Sequence, residues 1–216
     1  MLRKDPTVNI HIYSSSSSTL PKFISSAFEI LGLNPMRIVS GDVMASKVFI
    51  PGPTTCGFPQ HQFRRLSLLR SLLLPKTSPT IKYAILIRRT VNRRLGEDTF
   101  KTIYGVLEEA IQYTDLEIKI FSDDDVEMMT CLRCQIELFS QASVIIGRHG
   151  AGLTNMMFMP AGGLVLEIGK YGGTLEYLIQ AHLSGFKYYM PIAGASTDLQ
   201  DMDSLRKVLV RHFSNF

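Results

Sequence analysis

The segment Arg148-His149-Gly150-Ala151-Gly152-Leu153-Thr154-Asn155 places a guanidinium, an imidazole and two glycines directly after the apolar run Ser143-Val144-Ile145-Ile146-Gly147. Glycines at 150 and 152 let the backbone approach a ligand closely. A helix opening after them offers unpaired N–H groups and a positive dipole end to a pyrophosphate. Ala151 lies between the glycines, and Thr154 and Asn155 can cap that helix or donate to the same phosphates. The bland alternative is that the glycines only make a tight strand-to-helix turn. His149 is expected at the mouth of the site. There it can donate to a phosphate, contact an acceptor, serve as a base near neutral pH, or bond a loop carbonyl and shape the turn. A phosphate contact is the role expected first.

A second cationic group is Arg88-Arg89-Thr90-Val91-Asn92-Arg93-Arg94, with four arginines in seven residues. Such a group repels itself unless it is solvated or faces an anion, and guanidinium planes clamp phosphate oxygens bidentately. Arg88 and Arg93 are the expected ligand contacts, with Arg89 and Arg94 as neighbours of open direction. Glu167, at the end of Leu164-Val165-Leu166-Glu167-Ile168, is placed to accept from ribose hydroxyls or to pair with the basic loop. Asp123-Asp124-Asp125 precedes a helix and is expected to cap it rather than hold a metal.

The elements that must carry these groups follow from periodicity. From residue 80 onward, strands over 82–87, 116–121, 143–147 and 164–168 alternate with helices over 97–114, 126–140 and 153–159. That alternation requires a parallel sheet with right-handed crossovers, an α/β Rossmann-like unit flanked by helices. A helix from 174 to 184, a short strand at 187–190 and a helix from 201 to 213 complete it. Upstream, residues 1–22 read as a flexible or extended lead-in, and 23–31 as a short helix. Strands are expected at 37–39 and 47–50, a surface loop at 51–61 and a helix from 62 to 74. The expected division is a lead-in over 1–22, a remnant of a further domain and linker over 23–78, and the Rossmann-like unit over 79–216.

A hydrophobic content of 45% over 216 residues supports a full core. The net charge of +4 suits a small anionic ligand better than a long nucleic acid, and no nucleic-acid partner is expected. Three cysteines do not indicate a disulfide framework. Cys131 and Cys134 read as small apolar residues on a helix, without the second ligand pair that zinc would need. No apolar run is long enough to span a membrane, so any anchor or signal lies outside this chain. His149-Gly150-Ala151-Gly152-Leu153 lacks the G-x-G-x-x-G spacing of a dinucleotide fold, which disfavours a dehydrogenase.

The run from Gln135 to Pro160, with Arg88 to Leu95, Val48-Phe49-Ile50-Pro51 and Val165-Leu166-Glu167-Ile168, resembles glycosyltransferase family 61 over about residues 24–190. The resemblance implies a GT-B-like enzyme of two Rossmann-like halves, of which this chain is the C-terminal one. It implies inverting transfer of xylose, arabinose or N-acetylglucosamine from a UDP-sugar to a glycan or glycoprotein, without an obligatory metal or other cofactor. It also implies a place in the Golgi or endoplasmic reticulum lumen. The chain is about half the length the resemblance implies for a complete member, so a truncated, non-catalytic nucleotide-binding domain is the alternative.

Overall fold

The computed structural model describes residues 8–11, 22–39, 44–48, 59–74, 79–91, 94–169, 175–190 and 202–214. Five strands build the central sheet: β3 (Tyr83–Arg88), β4 (Glu117–Ser122), β5 (Ala142–Arg148), β6 (Leu164–Ile168) and β7 (Lys187–Tyr189). Their order is β4-β3-β5-β6-β7 and every pairing is parallel. A small second sheet pairs β1 (Ile10–His11) with β2 (Ile38–Val39), so part of the expected lead-in is paired strand. The guanidinium of Arg37 donates to the Val8 carbonyl beside it.

Continuous apolar runs such as Ala84-Ile85-Leu86-Ile87 fit a sheet covered on both faces. Alternate residues divide between two cores. On one face Leu86, Ile146, Leu166 and Ile168 pack with α3 (Glu97–Ile111) and α7 (Met202–Phe213). On the other, Ile85, Ile87, Ile145 and Val165 meet α5 (Leu132–Ser140), a 3₁₀ helix (Ala151–Phe158) and α6 (Glu176–Leu183). Burying each Leu or Ile side chain contributes roughly 1.5–3 kcal/mol. α1 (Lys22–Ile30) and α2 (Pro59–Leu73) add an outer layer on this second face, where Arg70 of α2 donates to the carbonyls of Met157 (2.5 Å) and Met159 (2.9 Å). That guanidinium ties α2 to the orphan carbonyls ending the 3₁₀ helix.

Several expectations need correction. The helix expected over 126–140 is two helices, α4 (Val126–Thr130) and α5, broken at Cys131, whose backbone is extended (φ −99°, ψ 90°). As N-cap of α5, Cys131 folds its sulfur back over the first turn, where it accepts from the Cys134 amide (3.1 Å) and is bonded to the Cys134 sulfur. The two cysteines are thus a disulfide, not two apolar helix residues. The segment after Gly150 winds as a 3₁₀ rather than an α-helix. Lys47 and Val48 are not strand, whereas Phe49 and Ile50 lie outside the described residues, as do 51–58 of the expected surface loop. The helix expected from Gln62 starts at Pro59, a residue suited to a first helical turn.

Candidate functional site

In an open parallel sheet, ligands bind beyond the carboxyl ends of the strands where the strand order reverses. Here β3 is followed in sequence by its neighbour β4 on one side and then by β5 on the other. The reversal therefore falls between β3 and β5, whose carboxyl ends carry Arg88-Arg89 and Arg148-His149. A cleft of about 330 Å³ opens there, lined by the β3 end, the following loop, the start of α3 and Arg148.

The cleft is rich in cations. Arg88 bonds Glu97 (3.1 Å) and lies over the Phe100 ring (5.2 Å), so this expected ligand contact is turned toward α3. Arg89 meets Asp123 (3.2 Å). Arg148 donates to the Arg94 carbonyl (2.8 Å). Among the described residues, no carboxylate lies within ion-pair reach of Arg94 or Arg148. Four guanidiniums thus face two carboxylates, Glu97 and Asp123. Arg93, with Asn92, lies outside the described residues.

The acid triplet braces this region. Asp123 accepts from the Thr90 amide (2.7 Å) and hydroxyl (2.8 Å) as well as from Arg89, which fastens the loop after β3 to the end of β4. Partial burial pushes its carboxyl up, but the Thr90 and Arg89 hydrogen bonds outweigh that and hold it below the ordinary value. Asp125 caps α4 by accepting from the Met128 amide (2.9 Å), the role expected of the triplet. Among the described residues, no group of three or more His, Cys, Asp or Glu side chains converges as metal ligands would.

His149 and Glu167 lie on the other face. His149 is buried, and its Nδ1 is 2.5 Å from Glu167 Oε1, while the Tyr188 hydroxyl donates to Glu167 Oε2. The Tyr177 ring of α6 meets the imidazole edge-on at 4.9 Å. Burial first, and then the carboxylate, push the Tyr188 hydroxyl well above its ordinary value, so it keeps its proton. Glu167 therefore turns its carboxylate neither to the basic loop nor to the cleft, and His149 sits deeper than the mouth position expected for it. Sequence reasoning missed Tyr188 and Tyr177. Their aromatic types gave no sign of it, although the two-residue period of a strand already sets Glu167 apart from Leu166 and Ile168.

The glycines have distinct reasons. Gly150 is extended (φ 163°), a conformation open to any residue, but a Cβ there would lie 2.6 Å from Arg89 Nη1. A Cβ on Gly152 would lie 3.0 Å from Ile87 Cγ2, so this glycine packs against the β3 side chain rather than opening toward a ligand. Ala151 and Thr154 are exposed and Asn155 half-buried, with the Thr154 carbonyl accepting from Gln180 (3.0 Å).

The family described as Glycosyltransferase 61 matches residues 16–166. EGF domain-specific O-linked N-acetylglucosamine transferases are similar over part of the chain: the Xenopus laevis protein is 28% identical over 133 residues, the Bos taurus protein 29% over 133 and the Gallus gallus protein 28% over 136. Each match covers 61% of this chain but 23% of the relative, so the chain spans about a quarter of the length of those proteins. With its parallel α/β sheet and a family match over most of its length, this chain belongs to glycosyltransferase family 61.

Proposed function

We propose that this chain is the nucleotide-sugar-binding part of an inverting glycosyltransferase that moves a sugar from a UDP-sugar to a glycan or glycoprotein acceptor. The observation that carries the reading is the excess of guanidinium groups in a cleft at the reversal of strand order. Arg148 and Arg94 hold the diphosphate, with the amides of the 3₁₀ turn after Gly150 as further donors. A departing diphosphate gains negative charge, and fixed cations stabilise it more than they stabilise the bound donor. No metal is needed for that role.

The sheet unit over 79–216 is the donor half of a GT-B-like pair, and 23–78 belongs to the acceptor side. The printed names of the relatives favour N-acetylglucosamine as the sugar, with xylose and arabinose as the other candidates. The compartment proposed is the lumen of the endoplasmic reticulum or Golgi, where a disulfide such as Cys131–Cys134 persists. Among the described residues no helix is long and apolar enough to cross a membrane.

Calorimetric titration with UDP, and separately with NAD, tests the reading. Saturable UDP binding with no NAD binding supports it, and a folded protein indifferent to millimolar UDP overturns it. Binding of UDP without turnover of any UDP-sugar would instead favour a non-catalytic nucleotide-binding domain.

A further inference from the structure

Cys131 and Cys134 are bonded to each other where α4 meets α5, with Leu132 and Arg133 between them. Both are half-buried, so neither is sealed in the core. The junction of the two helices is held by other bonds as well. The Cys131 amide donates to the carbonyls of Glu127 (3.1 Å) and Met128 (3.3 Å), and the buried Gln135 side chain donates to those of Met128 (2.9 Å) and Met129 (3.3 Å). These bonds satisfy the carbonyls that end α4 whether the bridge is open or closed. A loop of so few residues also restrains the unfolded chain weakly. The bridge can therefore open while the fold is kept.

The local geometry favours the reduced form of one sulfur in particular. Cys131 is the N-cap of the nine-residue α5, and its Sγ accepts from the Cys134 amide (3.1 Å). At that position the free N–H groups and the positive dipole end of a helix stabilise an anionic acceptor. A thiolate gains more there than a disulfide sulfur does, and cysteines at helix N-termini are correspondingly reactive. The exposed Arg133 adds a cation between the two cysteines. Apart from the capping Asp125, the other charged residues of the helices packed at this junction are Glu137 of α5, Glu127 of α4, and Lys22 and Glu29 of α1.

We propose that Cys131–Cys134 is a thiol–disulfide exchange site for a small thiol of the glutathione class, with Cys131 as the sulfur that is attacked and that carries the mixed disulfide. The site is separate from the basic cleft and does not depend on the donor-site reading. The thiolate of the small thiol bonds to Cys131 Sγ. The bond between the two protein sulfurs breaks, and its electron pair leaves on Cys134 Sγ, which takes a proton from water. A second thiolate then bonds to the sulfur of the first. Cys131 Sγ departs with the electron pair and is received as an anion by the Cys134 amide. Two thiols are oxidised to one disulfide, and the protein pair is reduced. In the reverse direction the Cys131 thiolate attacks the disulfide of the small thiol.

The test has two arms, both on the whole wild-type chain. In the first, the protein is equilibrated at neutral pH in mixtures of reduced and oxidised glutathione, quenched with acid, alkylated and mapped by mass spectrometry after trypsin, which cuts at Arg133 and so separates the two cysteines. The pair should pass from bridged to dithiol as the mixture becomes more reducing, while near- and far-ultraviolet circular dichroism stay native. A pair that remains bridged in millimolar reduced glutathione until urea unfolds the protein overturns the proposal, because structural disulfides resist that thiol. Loss of the native spectrum on reduction also overturns it, since the bridge is then a clamp. In the second arm, brief iodoacetamide treatment of the reduced, folded protein should label Cys131 at least about tenfold faster than Cys134, the mark of a thiolate held at a helix end. The same preference should place the glutathione adduct on Cys131 when Cys134→Ser traps the intermediate. Equal labelling rates, or a faster Cys134, overturn the proposal without any variant being needed.

Discussion

Arg148 and His149 are neighbours in the chain and face opposite sides of the sheet, one lining the cleft beside α3 and the other stacked edge-on against Tyr177 of α6. The separation follows from strand geometry, in which successive side chains alternate. It divides the chemistry of one short loop between a guanidinium-lined side and a hydrogen-bonded imidazole side. The glycines that follow set how closely that loop packs on β3.

Arg148→Ala should weaken UDP binding roughly tenfold or more, since a charge-assisted bond to phosphate contributes about 1.5–3 kcal/mol. Arg88→Ala should weaken it less, because Arg88 already bonds Glu97 and covers Phe100. Calorimetry on both variants checks the order. An Arg88 effect larger than that of Arg148 would return the main phosphate contact to the end of β3.

Gly152→Ala should act on the fold rather than on the ligand. Its methyl would press on Ile87 Cγ2 at 3.0 Å, an overpacking that costs about 1–3 kcal/mol, with UDP affinity of the folded protein nearly kept. Gly150→Ala should do the reverse. The nearest atom is the flexible end of Arg89, which can swing aside at little cost in stability but would leave Asp123 and alter the cleft. Urea unfolding and UDP titration on the same samples decide the matter, and equal stability losses in the two variants would refute the distinction.

The alternation of apolar runs with helices made the parallel sheet legible, because strands buried on both faces read as unbroken runs such as Ala84-Ile85-Leu86-Ile87. The 3₁₀ winding of Ala151–Phe158 was not legible, since its Leu and Met residues suit either helix. Nor was the break at Cys131, where one residue leaves helical geometry and turns two apolar-looking cysteines into a bridge. For the site, residue types drew attention to Arg88, His149 and Glu167, but partners decide roles. Glu97, Asp123, Tyr188 and Tyr177 reach those residues only through tertiary packing, which spacing along the chain does not encode.

Removing the Cys131–Cys134 bridge should cost about 2 kcal/mol at most, the loop-closure value for so short a loop. The paired variant Cys131→Ser with Cys134→Ser should unfold at a lower urea concentration than the wild type, and wild type in excess reductant should match it. Both thiols alkylating readily in the native, unreduced protein would show that the bridge is not formed.

Asp123 should make this fold sensitive to acid through one identifiable contact. Its carboxyl sits below the ordinary value in the folded chain, because the bonds from Thr90 and Arg89 favour the charged form over the opposing effect of burial. Between the folded and unfolded values the unfolded chain is protonated and the folded chain is not, so unfolding takes up a proton and stability rises with pH. The contribution is therefore fully present above the unfolded carboxyl value near pH 4 and is lost as pH falls through the lower folded value. Asp123→Asn should remove it, at a cost of about 1.5–3 kcal/mol at pH 7 for lost bonds to a charged acceptor. The difference in unfolding free energy between wild type and variant should then shrink as the pH is lowered below about 4, where the carboxyl of the unfolded chain becomes neutral first and that of the folded chain only at lower pH. A difference that stays constant from pH 7 to pH 2.5, measured by urea unfolding, would mean that Asp123 does not carry its charge into these bonds, and the brace between the β3 and β4 ends would have to be ascribed to packing alone.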